Sequence, residues 1–357
     1  MTPPDPGLGR RLQAVVDDAL AADPEVPGIV ARVASPRLGL SWTGTSGFEG
    51  WSGMRPAAAE RPFRIASVTK PFVAAAAFRL QEQRKLWLHQ PIETWLTGDS
   101  RRVLQSGGYE PDRISVLQLL SHTSGLRDHA KSDGYLAAVM RNPEKAWRRS
   151  DQVDIAVSLG PPLFEPGDGF EYSDTGYVLL GEIIEQAAEE RLCLAVRNLI
   201  KFSQWGLGAT WWELEEDAPI ENPELASQYI GRTDASGYNP SFDIHGGGGL
   251  VSTMPDLCTF FRALFAGDVF ESQSTLSAGL LIPRVDRQPD SHLHSNLGMV
   301  IPMGHHWGWG HLGFWGCGVA WSPATDLSIG VRTHQSQPRN PKILMELFEQ
   351  LGRQVFC

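Results

Sequence analysis

The stretch from Arg64 to Val73 reads RIASVTKPFV and places a lysine three residues after a serine, at the mouth of an alanine-rich segment. Residues 71 to 83, PFVAAAAFRLQEQ, favour a helix, and proline suits its first turn. Because residues three apart share a helix face, we expect Ser67 and Lys70 to be in contact. A serine hydroxyl becomes a good nucleophile only when a base removes its proton. The spacing therefore predicts Ser67 as a nucleophile and Lys70 as its base.

Lys70 must be neutral to act as a base, against an ordinary pKa of about 10.4. Burial against the apolar residues that follow it would lower that pKa. The helix start would also offer backbone N–H groups and a partial positive charge beside Ser67. S-x-x-K occurs once in the chain, but chance alone supplies roughly half a match. The motif alone is also compatible with an ordinary exposed lysine on a helix.

Two later segments add to this interpretation. EYSDTGY, residues 171 to 177, places Tyr172 in a loop just before a predicted helix, where it could move a proton between Ser67 and a leaving group or simply pack its ring. WGHLGFWG, residues 309 to 316, reads as a strand rich in glycine, and strand glycines often mark the close approach of a ligand or another backbone. Such a strand edge could supply a second backbone N–H to an oxyanion hole beside Ser67.

S-V-T-K, Y-S-D and H-L-G, in this order, resemble the serine β-lactamase and penicillin-binding-protein superfamily. The nearest branch in appearance is the class C β-lactamase-like group, which includes the family VIII carboxylesterases. The stretches that agree span nearly the whole chain: LLSHTSGL at 119–126, YSDTGYVLLGEIIE at 172–185, GGGLVSTMPDL at 247–257 and GHLGFWG at 310–316. The resemblance implies a β-lactamase/transpeptidase-like fold and a serine hydrolase.

The resemblance also implies a role for each matching residue. Ser67 would be the nucleophile, and Lys70 would be its base or would lower the proton affinity of Tyr172. Tyr172 would relay the proton to the leaving group and then activate water. The backbone N–H groups of Ser67 and Phe314 would form the oxyanion hole, and His311 would stand where lactamases and peptidases usually carry a lysine.

Two departures from the family pattern affect the expected chemistry. Asp174 replaces the usual asparagine, and an ionised aspartate can only accept hydrogen bonds. We expect it to hold Lys70 by a charge-assisted bond, which would oppose deprotonation of Lys70. An alternative alignment reads Ser173-Asp174-Thr175, in the same loop, against S-D-N. His311, in place of a permanent cation, weakens the anchoring of a substrate carboxylate and favours neutral esters.

The remaining site predictions concern substrate binding and metals. His122 is expected to be structural, bonding loop backbone, whereas His245 beside Gly246–Gly249 could line the cleft. Histidines at 292, 294, 305 and 306 are not accompanied by a carboxylate-rich H-x-H-x-D-H pattern, so neither a metal nor a cofactor is expected. G-x-S-x-G is absent, which counts against an α/β-hydrolase. The substrate-binding set is predicted as Asp174, His245, Trp309, His311, Gly313 and Trp315.

The order of periodic segments predicts an α/β (α+β) fold. Helical spacing of apolar residues opens and closes the chain, with strand patterns next to each end. We expect one antiparallel sheet flanked by the N- and C-terminal helices, plus a mostly helical lobe. Residues 1–90 and 245–357 would form the sheet domain and residues 91–244 the helical domain, with the active site in the cleft between them.

Composition limits the possible partners. The 357 residues carry a formal net charge of −10, which argues against nucleic acid and anionic membranes. The four cysteines are far apart in sequence, so we expect free thiols. The first residues lack an uninterrupted apolar run, which predicts neither a signal peptide nor a membrane span, and hence a cytoplasmic protein. The oligomeric state is left open.

The leading hypothesis is a serine hydrolase that forms an acyl-enzyme and hydrolyses short-chain carboxylic esters. One alternative keeps the fold and changes the small-molecule substrate, as in a β-lactamase, a D-amino-acid peptidase or amidase, or an acyl transferase. A second alternative is a non-catalytic binding protein on a degenerate enzyme fold, and Asp174 is the feature that most favours it.

Overall fold

The structure is a computed structural model that describes residues 7–219, 221, 223–285, 293–336 and 338–356. Its helices are α1 (Leu8–Ala22), α2 (Lys70–Glu82), α3 (Gly98–Ser106), α4 (Val116–Leu120), α5 (Asp133–Arg141), α6 (Arg149–Ser158), α7 (Asp174–Ala188), α8 (Leu192–Ile200), α9 (Met254–Ala266), α10 (Gln273–Gly279) and α11 (Ile343–Val355). Its strands are β1 (Gly28–Ser35), β2 (Leu40–Gly47), β3 (Phe63–Arg64), β4 (Trp211–Trp212), β5 (Tyr229–Ile230), β6 (Thr233–Asp234), β7 (Leu250–Ser252), β8 (Met299–Met303), β9 (His306–Gly313), β10 (Cys317–Ser322) and β11 (Leu327–Arg332).

The main sheet joins the two ends of the chain. Its six strands run in the order β2-β1-β11-β10-β9-β8, and every neighbouring pair is antiparallel. The central pairing places Val30 opposite Arg332, so a strand from the first tenth of the chain lies beside one from the last tenth. The predicted antiparallel sheet with contributions from both ends is confirmed.

Strand alternation builds a separate core on each face of this sheet. On one face, apolar residues such as Ile29, Ala31 and Val331 pack against α1 and α11. On the other face, Val30 and Val319 join the larger core that contains α2 and α9. Successive strand residues point to opposite faces, which accounts for this division. The terminal helices therefore cover the face of the sheet that is turned away from the helical part of the molecule.

Helix α2 runs through the larger core. Its residues from Lys70 to Leu80 are all buried, including the four consecutive alanines. A helix that is buried on all sides needs small side chains where neighbours approach, and α7, α8 and α10 all contact it. The sequence Pro71-Phe72-Val73-Ala74 thus fixes the first turn of α2 inside the protein rather than at its surface.

Several local predictions are confirmed. The turn after β1 is a 3-10 turn at Pro36–Leu38. Ser115 and Gln118 have the spacing that predicts a capping box, and they form one at the start of α4. The Thr253 side chain likewise caps α9 by accepting from the Asp256 N–H at 3.3 Å. Cys193, Cys258 and Cys317 are free and buried, as predicted, while Cys357 lies outside the described residues. No helix in the described ranges combines the length and apolarity needed to cross a membrane.

One strand of the main sheet and two small sheets are not predicted by the sequence pattern. β8 contains Pro302, which breaks a strand pattern but is tolerated at a sheet edge, where β8 lies. The small sheets β3-β7-β4 and β5-β6 consist of strands of two or three residues, too short to show periodicity. β3 and β7 nevertheless matter for the site, because they lead into the Ser67 segment and out of the glycine run.

Candidate active site

Ser67 lies in a 3-10 turn, Ala66–Thr69, that leads directly into α2. The Ile65 N–H donates to the Leu250 carbonyl at 3.0 Å and so fixes the turn to the first residue of β7. Ala66, directly before Ser67, is buried and has a φ of 46°. A left-handed backbone is uncommon for a residue with a Cβ and persists where the surroundings enforce it. The fold therefore holds the Ser67 backbone in a fixed and strained turn.

Lys70 reaches Ser67 as the helical spacing predicted. Its Nζ donates to Ser67 Oγ at 2.8 Å and to the Gly247 carbonyl at 2.7 Å, and it forms an ion pair with Asp174. The Lys70 side chain is 1% exposed. The Lys70 ammonium group is thus held inside the protein by a hydroxyl, a carbonyl and a carboxylate.

The pKa of Lys70 is raised, contrary to the prediction that burial would lower it. Burial does act in the predicted direction and is the largest single effect, but the charge of Asp174, the neighbouring Tyr172 and the hydrogen bonds to both outweigh it. The prediction that Asp174 would bind Lys70 and oppose its deprotonation is confirmed. In this structure the amine next to Ser67 is a cation.

Tyr172 completes the group around Ser67. Its phenol hydrogen-bonds to both Lys70 and Ser67, and the Lys70 Nζ lies 5.1 Å from the ring centroid. Burial raises the Tyr172 pKa to about 12, although the Lys70 charge acts in the opposite direction. Tyr172 is therefore a neutral phenol in contact with both a hydroxyl and an ammonium group.

His122 supports the Tyr172 ring from below. The two rings stack with centroids 4.4 Å apart. The His122 Nδ1 accepts from the Ser173 N–H at 3.2 Å, so in the neutral ring the proton is on Nε2. Burial holds the His122 pKa well below its usual value. The predicted bond to loop backbone is confirmed, but the stacking on Tyr172 was not foreseen.

Strand β9 brings Gly313 and Phe314 against the Ser67 turn. A Cβ at Gly313 would lie 2.4 Å from the Ile65 carbonyl oxygen, so only glycine permits this approach. The Cys317 thiol also donates to the same carbonyl, at 3.5 Å. The predicted close approach of another backbone at a strand glycine is confirmed here. Phe314 follows immediately and lies beside Ser67.

His311 is a neutral, buried group on the same strand. Its Nδ1 donates to the Leu312 carbonyl at 2.7 Å. Burial, together with the charge of Lys70, holds the His311 pKa well below its usual value. Its ring centroid lies 6.2 Å from that of Tyr172. The position that resembles the family's lysine therefore carries no positive charge.

Ser67 and Phe314 line two neighbouring cavities. The first has a volume of about 100 Å³ and is lined mainly by the helical part of the chain: Ser67, His129, Ala130, Tyr135, Leu136, Gln152, Asp174, Val178, Phe242, Asp243, Ile244, Gly247 and Phe314. The second, at about 450 Å³, is lined by Ser67, Lys131, Phe170, Glu171, Tyr172, His294, Met299, His311, Leu312, Gly313 and Phe314. A carbonyl carbon at Ser67 would therefore have one space on either side for the two parts of a substrate.

Three predicted substrate-binding residues are not part of either cavity. Trp309 faces the same side of β9 as His311, but it stacks on Phe265 of α9, in the larger core. Trp315 is fully buried and packs beneath Phe314, with ring centroids 4.9 Å apart. His245 lines a separate small cavity with Arg149, Glu185 and Leu192. Asp174, His311 and Gly313 do line the cavities that contain Ser67.

Two carboxyl groups in this region, Asp243 and Asp128, are not predicted by the sequence motifs. Asp243 lines the first cavity, and Asp128 is buried near Asp174. Burial and the Asp174 charge raise the pKa of each to about 7. Asp243 lies between Phe242 and Ile244, and an acid between two large apolar residues is a weak signal for a buried carboxylate. Of the histidines considered for a metal, His292 lies outside the described residues.

A family model described as beta-lactamase matches residues 16–351. The chain belongs to the beta-lactamase family. Among curated relatives in this family, Esterase EstB of Burkholderia gladioli is 33% identical over 54% of this chain and 49% of its own length. Penicillin-binding protein 4* of Bacillus subtilis is 28% identical over 63% of this chain and 49% of its own length. The chain thus spans about half the length of these two curated relatives.

Solved structures of similar proteins cover the whole fold. A D-stereospecific amidohydrolase from Streptomyces has a TM-score of 0.79 and 26% identity, covering 95% of this chain and 97% of its own. A D-amino acid amidase from Ochrobactrum anthropi, solved with L-phenylalanine amide, has a TM-score of 0.80 and 25% identity, covering 98% and 97%. The predicted fold class and family resemblance are confirmed.

Proposed function

We propose that this beta-lactamase family member is a serine hydrolase that acylates Ser67 and hydrolyses small carboxylic esters. The observation that carries the proposal is the contact between Ser67 Oγ and the buried Lys70 Nζ, 2.8 Å apart, with the Tyr172 phenol bonded to both. A nucleophile, a cation and a proton-carrying group meet where two cavities join. This arrangement supports acyl transfer rather than simple binding.

Lys70 acts as a cation in the proposed acylation step. Ser67 Oγ attacks the substrate carbonyl carbon, and its proton passes to the Tyr172 oxygen while the Tyr172 proton passes to the leaving oxygen. The Ser67 O–H and the ester C–O bonds break, and the acyl C–O and leaving-group O–H bonds form. The Lys70 charge stabilises negative charge on either oxygen during this exchange. Of the two roles expected for Lys70, we propose that it lowers the proton affinity of Tyr172.

The backbone N–H groups of Ser67 and Phe314 are proposed to bind the carbonyl oxygen as it becomes negative. Support comes from the close approach at Gly313, which brings the end of β9 against the Ser67 turn. Deacylation repeats these proton transfers in reverse. Tyr172 takes a proton from the attacking water and returns a proton to Ser67 Oγ. Water attack on the acyl carbon releases the acid and restores the free enzyme.

Esters are proposed over β-lactams because the site has little to hold a carboxylate. His311 is neutral, and Lys131, which lines the larger cavity, is ion-paired with Glu171. Lys70 is ion-paired with Asp174. Among the described residues that line the two cavities, Lys131 is the lysine present, and both it and Lys70 beside Ser67 already have a carboxylate partner.

The first test compares p-nitrophenyl acetate, p-nitrophenyl butyrate and nitrocefin with the wild type and Ser67→Ala. Turnover of the p-nitrophenyl esters without nitrocefin turnover, lost in Ser67→Ala, supports the proposal. Nitrocefin turnover without ester turnover would contradict the ester hydrolase proposal and indicate a β-lactamase. No turnover of any of them, together with no adduct from a serine-directed phosphonate, would favour a binding protein.

The proton-transfer groups are tested separately. Lys70→Ala and Tyr172→Phe are each expected to lower kcat for p-nitrophenyl butyrate by a factor on the order of 10² or more, as for groups that move or stabilise the transferred proton. Matched controls are Lys85→Ala and Tyr109→Phe, since neither residue lines the two cavities. Near-normal turnover in Lys70→Ala or Tyr172→Phe would remove that residue from the mechanism.

Amide hydrolysis is the second candidate function. The observation that favours it is the similarity along almost the full chain to the D-stereospecific amidohydrolase and the D-amino acid amidase. Release of ammonia from D- and L-phenylalanine amide, followed with the wild type and Ser67→Ala, distinguishes it. Ser67-dependent release of ammonia at rates comparable to ester hydrolysis would make amides the main substrates.

A further inference from the structure

Asp243 is a carboxylate without a partner inside the site. Among the residues that the structure describes, no hydrogen bond or ion pair involves its side chain. It lines the smaller of the two cavities, which we call the acyl cavity, together with Ser67 and Phe314. Asp243 is half-buried and borders this cavity, so its carboxylate is accessible to a ligand that supplies the partner the protein does not.

The position of Asp243 is fixed by its neighbours. It ends the 3-10 turn Pro240–Asp243, and the Phe242 carbonyl just before it accepts from Tyr135 Oη at 2.7 Å and Gln152 Nε2 at 3.0 Å. On the other side, a Cβ at Gly248 would lie 2.5 Å from Asp243 Oδ1, so the glycine there leaves room for the carboxylate. The carboxylate is thus built into the wall of the cavity rather than mobile at its mouth.

The nearby positive charges are already used elsewhere. Lys70 pairs with Asp174, and Arg64 binds Glu213 through two nitrogens, at 2.8 and 3.0 Å. The ring of His129, which lines the same cavity, is neutral at pH 7 because burial lowers its pKa to about 4. The acyl cavity therefore contains two carboxylates and no unpaired cation among its described lining residues.

The rest of the lining is apolar. Leu136, Val178, Phe242 and Phe314 surround the space next to the carboxylates. Such a surface suits a hydrocarbon or aromatic side chain. The cavity thus combines an apolar wall with one carboxyl group that has no protein partner, within the space that opens at Ser67.

We propose that the acyl group of the preferred substrate carries a primary ammonium that pairs with Asp243, so that the substrates are esters or amides of amino acids with a free amine. This inference rests on the proposed hydrolase function and specifies its substrate class. An ammonium supplies the missing partner of Asp243, and the amino acid side chain occupies the apolar wall. An acyl group with a carboxylate at the same place is repelled by Asp174 and Asp243.

The experiment compares two esters that differ only in the amine: phenylalanine methyl ester, as each enantiomer, and methyl 3-phenylpropanoate. For the wild type, kcat/KM for at least one amino ester is expected to exceed that of the amine-free ester tenfold or more. In Asp243→Asn this ratio should fall toward one. The control Asp268→Asn, an exposed acid at the end of α9, should keep the wild-type ratio.

A wild-type measurement covers the case in which Asp243→Asn does not fold. With p-nitrophenyl butyrate as substrate, 2-phenylethylamine should inhibit at a concentration at least tenfold lower than 2-phenylethanol does. Equal inhibition by the two compounds would overturn the inference.

The remaining outcomes separate this inference from the proposed function. A wild-type ester ratio near one, or a ratio that Asp243→Asn leaves intact, overturns the assignment of Asp243. If p-nitrophenyl butyrate is hydrolysed through Ser67 while neither phenylalanine methyl ester is hydrolysed, the proposed ammonium site is wrong and the proposed hydrolase function is retained. If Ser67 supports no hydrolysis of any ester or amide, the proposed function itself fails.

Discussion

At the scale of single residues, Asp174 decides the charge state of the site. The ion pair follows from one change at a motif position, aspartate for asparagine, and was predicted from sequence. The direction of the Lys70 pKa was not, because burial and the Asp174 charge act in opposite directions and their balance depends on distances. A motif identifies which groups meet, whereas their protonation depends on all the charges around them.

Asp174→Asn tests this balance. Asp174 raises the pKa of both Lys70 and Tyr172, so its neutralisation should lower both. Because Tyr172 is the group that accepts the Ser67 proton, the limb of kcat/KM against pH that rises as Tyr172 loses its proton is expected to move to lower pH, by about one pH unit or more. The measurement is a pH–rate profile with p-nitrophenyl butyrate from pH 5 to 10. An unchanged limb, or one displaced to higher pH, contradicts the assignment.

Asp128 gives a prediction about stability. Its pKa is raised from 3.8 to about 7, mainly by burial, so between these values the folded protein binds more protons than the unfolded chain. Its contribution to the free energy of unfolding therefore falls as pH rises from about 4 to about 7, and the loss persists above that range. Asp128→Asn removes the charge and keeps an oxygen to accept the Ala130 N–H.

We expect Asp128→Asn to be more stable than the wild type at pH 8, by about 1–4 kcal/mol, and similar to it at pH 4. Urea unfolding at both pH values measures this difference. Greater stability of the wild type at pH 8 would show that the Asp128 carboxylate has a stabilising partner when charged.

At the scale of secondary structure elements, the site depends on how closely β9 approaches the Ser67 turn. Gly313 indicated this contact in the sequence. A glycine weakens a strand, and its presence there often marks a place where another backbone approaches too closely for a side chain. Helix caps at Ser115 and Thr253 were equally visible, because they depend on two residues a fixed distance apart. The pairing of β3 and β7 was not visible, since so short a ladder is specified by the tertiary contacts around it.

Gly313→Ala should separate β9 from the turn. The new Cβ would lie 2.4 Å from the Ile65 carbonyl oxygen. Because both of these atoms are attached to rigid backbone, only a displacement of β9 can relieve the clash. We expect a loss of about 1–3 kcal/mol in the free energy of unfolding and at least a tenfold loss in kcat for p-nitrophenyl butyrate. Gly98→Ala, at the start of α3, has open space around its Cβ and should change neither quantity appreciably. Equal behaviour of the two variants would show that β9 does not position the oxyanion donors.

At the scale of the whole molecule, the main sheet lies between two cores. The larger core contains α2 and supports the site, whereas the core with α1 and α11 does not. Ser67 and α2 belong to the side with the larger core, while α1 and α11 close the opposite face. This plan was predictable because both terminal helices show strong apolar periodicity. The division into sheet and helical domains at residues 90 and 245 remains a prediction.

Phe348→Ala probes the distant core. Phe348 is fully buried on α11, and its truncation should lower the free energy of unfolding by about 3–5 kcal/mol. Because the sheet lies between this core and Ser67, KM and kcat for p-nitrophenyl butyrate should stay within about twofold of wild type well below the melting temperature. A large change in kcat with the fold intact would show that the two faces of the sheet are coupled.

The site itself was predictable only where residues stand in motifs. Ser67, Lys70 and Tyr172 were found because their sequence context is specific. Asp243 and Asp128 were missed because they reach the site through the packing of distant loops. Trp315 was assigned to the site by its proximity in sequence to Phe314, but adjacent residues beyond a strand point in different directions, and Trp315 turned inward.

The register that sets Val30 beside Arg332 has a consequence for biosynthesis. On the ribosome, the serine turn is made long before β9, which packs against it, and β1 is made long before its partner β11. The nascent chain must therefore keep the free edge of β1 from pairing with other molecules until β11 has emerged. A premature stop between residues 317 and 326 would therefore yield a polypeptide with every motif of the site but without β11, the partner of β1 in the main sheet.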